Sequence, residues 1–64
     1  MIQYDPKLDV FHVNGVPMTA DLVQQALAQP WWWAAQRQSL PSAQRAAIEA
    51  AMRHVEQHGF PEAT

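Results

Sequence analysis

Val10-Phe11-His12-Val13-Asn14-Gly15-Val16-Pro17-Met18 is the stretch on which the fold turns. Asn-Gly between two short apolar runs marks a two-residue type I′ hairpin, because both turn positions need a positive φ and this dipeptide accepts it at least cost. With Asn14 and Gly15 as the loop, Val13 falls opposite Val16, His12 opposite Pro17 and Phe11 opposite Met18. Side chains alternate along a strand, so one face carries Phe11, Val13, Val16 and Met18, and the other Val10, His12 and Pro17. The first face is expected to receive the helices. Pro17 cannot donate a ladder hydrogen bond and so assigns its strand to a sheet edge.

Upstream, Asp5-Pro6-Lys7 has turn chemistry, with Asp in the first position and Pro in the second. It adds residues 2–4 to the hairpin and predicts an antiparallel meander of strands 2–4, 10–13 and 16–18. Downstream, Thr19 is a cap, Asp21 favours the helix dipole, and Met18 staples onto Val23. A helix over 20–29 follows, with Leu22, Val23, Ala26 and Leu27 as its apolar stripe. Pro30 ends that helix and suits the first position of a short one over 30–37. The last helix spans 42–58, with Ser42 as N-cap, Ile48, Ala51, Met52 and Val55 facing inward, and Gly59 as a left-handed C-cap. Arg45, Glu49, Arg53 and Glu56 alternate in sign at helical spacing, as on a solvated face. Residues 60–64 read as a loose tail, with Phe60 folding back over the helix end. The fold class is α+β: a small meander packed on two longer helices with a short helix between, in a single domain.

At 64 residues the chain buries only about 60% of its unfolded surface. Small scaffolds compensate with disulfides, metals, self-association or a dense core, and the absence of Cys removes the first. Hydrophobic residues at 48% and charged ones at 16% place the chain among folded proteins, not disordered ones. The start lacks a basic segment followed by an apolar one, and the longest apolar run is Trp31 to Ala35. A cytoplasmic protein without a membrane span is expected.

Catalysis finds no support in the residues. A phosphate-cradling Gly-rich loop and a serine elbow are both missing, and the six carboxylates form no acid/base pair pattern. His54 and His58 are four apart, the spacing of two metal ligands on one helix face. The hairpin register turns His12 away from the helices, and His near a helix C-terminus is accounted for by the dipole. Neither a metal nor another cofactor is expected. Ala43, Ala47 and Ala51 make a smooth strip, explained either by room for this chain's own tryptophans or by a homodimer seam on the last helix.

Trp31, Trp32 and Trp33 carry the functional expectation. Three consecutive helical residues span about 200° of the helix surface, wider than an apolar stripe of about 100°, so at least one ring looks outward. Trp and Arg are enriched at interface hot spots, and residues 29–39 hold three Trp, one Arg and no acid. Trp31, Trp32, Trp33 and Arg37 are therefore the expected partner-binding residues. Trp33 and Arg37 are spaced for a cation–π contact, and the functional ring is expected beside Arg37. The function expected is a non-enzymatic protein-interaction module, an inhibitor or adaptor that occupies a partner protein's surface. The competing class is a nucleic-acid-binding regulator that stacks bases on Trp. Scattered Lys7, Arg37, Arg45 and Arg53, with a net charge of −2, argue against it.

Overall fold

The computed structural model describes residues 1–61. In chain order it contains strands β1 (Ile2–Asp5), β2 (Val10–Val13) and β3 (Val16–Thr19), then helices α1 (Ala20–Ala28) and α2 (Pro30–Gln36). A 3-10 turn, Arg37–Ser39, leads on to α3 (Ser42–His58). The strands form one antiparallel sheet in the order β1-β2-β3, with helices on one face.

The hairpin has the expected register: Phe11 pairs with Met18, His12 with Pro17 and Val13 with Val16. Asn14 at φ 51° and Gly15 at φ 85° supply the two positive angles that the turn demands. Asn14 also ties down the chain start, since its Oδ1 accepts from the Met1 amino group at 2.8 Å and its N–H donates to the Met1 carbonyl at 3.1 Å. The first loop covers residues 6–9, one residue shorter than the gap left between the expected strands, because Asp5 joins β1. Asp5 Oδ1 does accept the Lys7 N–H at 2.9 Å, but the chain reverses through Asp9, held at φ 55°. The Tyr4 hydroxyl donates to the Asp9 carboxylate and braces that return. β1 and β3 each run one residue beyond the expected ends, because Asp5 and Thr19 both pair with Val10.

Thr19 caps α1, its Oγ1 accepting from the Leu22 N–H at 3.2 Å. The helix ends at Ala28, one residue early, because Gln29 is pushed out of the α region by the proline that follows it. α2 keeps its α form to Gln36, and Arg37 opens the tighter turn that closes with the Leu40 N–H on the Arg37 carbonyl at 3.3 Å. Ser42 does not cap α3. Pro41 occupies the cap position at φ −57° and ψ 149°, its carbonyl accepts the Arg45 N–H at 3.0 Å, and Ser42 is already the first helical residue. The pyrrolidine ring fixes φ but leaves ψ free to take the extended value a cap requires. Gly59 closes α3 with φ 78° and its N–H on the Val55 carbonyl at 2.7 Å. Its ψ of 172° lies outside the expected left-handed helical region, in a conformation essentially restricted to glycine.

Phe11, Val13 and Val23 are fully buried at the centre of a core shared with Met18, Ala26, Trp33, Ile48 and Val55. Ala47 and Ala51 are buried too, so most of the alanine strip is covered by this chain's own sheet and α1, and Ala43 alone of the three is exposed. Phe60 is exposed; it does not seal the helix end. Residues 62–64 of the expected tail lie outside the described residues. Among the described residues no helix is long and apolar enough to cross a membrane.

The bond from Tyr4 to Asp9 and the nearby carboxylates of Asp9 and Asp5 raise the Tyr4 pKa above its ordinary 10.0. A group raised in the folded state stabilises fully below its unfolded pKa, and that contribution disappears as pH rises through the folded value. Tyr4 is the single tyrosine, so absorbance at alkaline pH reports it alone. It is expected to ionise later in the native protein than in denaturant, and Asp9→Asn, which tolerates the positive φ, removes most of the difference. Equal titration in all three samples refutes the brace.

Candidate functional site

One residue sets the orientation of the tryptophan helix. Gln29, at φ −131° and ψ 76°, donates its N–H to the Gln25 carbonyl at 2.9 Å and so closes α1. Its own carbonyl accepts the N–H groups of Trp32 at 3.0 Å and Trp33 at 3.2 Å and so opens α2. With no spare residue between the helices, the phase of α2 is set by this joint. Successive residues then step about 100° around the axis. Trp33 points into the core at 6% exposure, Trp32 is half-buried, and Trp31 stands outward at 72%. The outward ring required by the triplet's angular span is Trp31.

Trp32 and Trp33 line an apolar groove of about 240 Å³ where β3, α1, α2 and α3 meet. Buried Met18, Trp33 and Ile48 line its inner part, while Pro17, Leu22, Trp32 and Leu40 line its sides. Gln36 and Gln44 are its polar members, able to donate and accept hydrogen bonds without charge. The lining holds neither a carboxylate nor a basic group. Such a groove can bury one large apolar side chain; it has no group suited to proton transfer or nucleophilic attack.

Arg37 does not join the tryptophans. Its Nη2 lies 3.2 Å from Glu49 Oε2, and its carbonyl accepts Arg45 Nη1 at 3.5 Å. The expected cation–π contact with Trp33 is replaced by this ion pair, because Trp33 is enclosed in the core while α3 presents a carboxylate to the guanidinium. Nor does the exposed ring sit beside Arg37: Trp31 precedes it by six residues, about 120° away around a helix. Trp31, Trp32, Trp33 and Arg37 thus occupy an outer face, a groove wall, the core and an ion pair, not one patch. Glu49 and Arg45, expected on a purely solvated ladder, are half-buried; Arg53 and Glu56 are exposed as expected.

The rings of His54 and His58 lie 4.7 Å apart, centroid to centroid, at 44°. His12 is on the opposite face of the sheet from the helices, paired with Pro17. Among the described residues no three His, Asp or Glu side chains gather where they could hold a metal ion. The groove itself went unread in the sequence, although one signal for it was present: Leu40 is an apolar residue inside a Gln-Ser-Leu-Pro turn, where a polar one is usual.

The three rings are expected to separate cleanly in urea unfolding. Trp33→Ala costs about 3–5 kcal/mol, a large share of the stability of so small a domain. Trp31→Ala stays within about 0.5 kcal/mol of wild type. Equal losses for both would show that the burial gradient along α2 is wrong.

No family model, curated protein or solved structure matches this chain.

Proposed function

We propose that this chain is a cytoplasmic, non-enzymatic protein-interaction module, an inhibitor or adaptor that occupies a partner protein's surface through its tryptophan helix. The observation that carries the proposal is Trp31, 72% exposed on a helix whose next two rings are packed. An indole presented from a fixed helix loses little conformational freedom on binding, which is the property of interface hot spots. Its surroundings favour protein over nucleic acid. Residues 30–36 carry no charge, Arg37 is paired with Glu49, and Lys7, Arg45 and Arg53 lie outside the tryptophan helix, in the β1–β2 loop and along α3, which is a scattered set and not the clustered basic lining of a single-strand binder.

The test compares three immobilised proteins in lysate of the source cell: wild type, Trp31→Ala and Lys7→Ala. One or a few proteins should be retained by wild type and Lys7→Ala and fall by about tenfold or more on Trp31→Ala, the scale of a hot-spot truncation. Equal retention by all three counts against the proposal. Tight, salt-sensitive quenching of Trp fluorescence by oligonucleotides would replace it with the nucleic-acid reading.

A further inference from the structure

The groove is neutral inside but edged with charge on one side. Three of its lining residues are each followed directly by a charged one: Gln36 by Arg37, Gln44 by Arg45 and Ile48 by Glu49. The contacts of Arg37 with Glu49 and of Arg45 with the Arg37 carbonyl join these three into a single cluster. The cluster holds two guanidiniums and one carboxylate, of which only Arg37 pairs with Glu49, so this edge carries an excess positive charge on a chain whose net charge is −2. Among the described residues Arg45 meets no carboxylate.

The β3 side limits what kind of chain fits. In a two-residue hairpin Val13 and Val16 form the hydrogen-bonded pair next to the turn, so the following pair, His12 and Pro17, directs its main-chain groups away from the partner strand. Pro17 therefore faces the free edge without an N–H, and an added strand would lack a donor there. A helix needs no such donor, because its main-chain groups are satisfied internally.

Resting on the protein-interaction reading, we infer that the groove receives an acidic amphipathic helix of the partner. A bulky uncharged side chain of that helix fills the space between Trp32 and Ile48, and a carboxylate about one turn away meets Arg45. Charge complementarity selects the acid, and the neutral lining selects the apolar anchor.

The probe is a phage-displayed library of random helix-length peptides, selected on the wild-type protein at low salt. Selected peptides are synthesised and measured by anisotropy against wild type, Arg45→Gln, Gln44→Trp and Trp31→Ala, each first shown to be folded by circular dichroism. Gln44 is an exposed helix position, so Gln44→Trp fills the groove without disturbing the core. The expected peptides place Leu, Phe, Met or Trp beside Asp or Glu. Their affinity falls about three- to fivefold on Arg45→Gln, with a flatter salt dependence, and is lost on Gln44→Trp. Failure to enrich, basic or uncharged winners, or indifference to Gln44→Trp overturns the inference. Peptides lost on Trp31→Ala but indifferent to Gln44→Trp overturn it while leaving the role of Trp31 standing. Peptides lost on Gln44→Trp but indifferent to Trp31→Ala support it and count against Trp31 as the anchor.

Discussion

The pairing of Val13 with Val16 across Asn14-Gly15 is the constraint from which the rest of the structure follows. A sheet has a side-chain period of two, so a slip of one residue would turn Phe11 and Val13 from the core to solvent. Held in register, they present an apolar surface from the middle strand, and α1 and α3 close over it with Val23, Ala26, Ala47 and Ala51. The small alanine side chains let helix and sheet approach closely. A domain with no disulfide depends on such contact density to offset the entropy of ordering its chain.

In the tryptophan segment, the demand of stability and that of the proposed recognition pull in opposite directions. Stability calls for buried aromatic area, which Trp33 supplies from inside the core. Recognition calls for aromatic area left available, as at Trp31 and in part at Trp32. A helix resolves the conflict by rotation alone, since adjacent residues need not share an environment. The outward ring is then held in place by the burial of the inward one, and a single seven-residue helix supplies both the buried ring and the exposed one.

Much of the fold was legible in the sequence because its signals are local. Asn14-Gly15, Thr19, Pro30 and Gly59 each act through their own backbone or a neighbour a few residues away, and the elements they bound lie within a residue or so of their expected ends. What escaped were choices settled by distant parts of the chain. Asp9 takes a positive φ where Tyr4 reaches it from the preceding strand. Arg37 turns to Glu49, a partner twelve positions on that no helical spacing could nominate. The groove is assembled from β3 and three helical segments, so its lining is spread from Val16 to Ile48. The candidate site was therefore legible as a segment, with one ring outward, but not as a surface with an address for each side chain.

The joint at Gln29 has a further consequence for how the sequence can change. The three rings are chemically identical, so what distinguishes anchor, wall and outer face is position relative to Pro30. One residue inserted ahead of Trp31 would bring Trp32 to the buried place and Trp31 to the groove wall, leaving the newcomer on the outside. Repetition thus gives the interior a spare, while the outer face has none. The ring now buried would at the same time rotate to the exposed place of Ala34, so the insertion would change the surface of the domain on two sides.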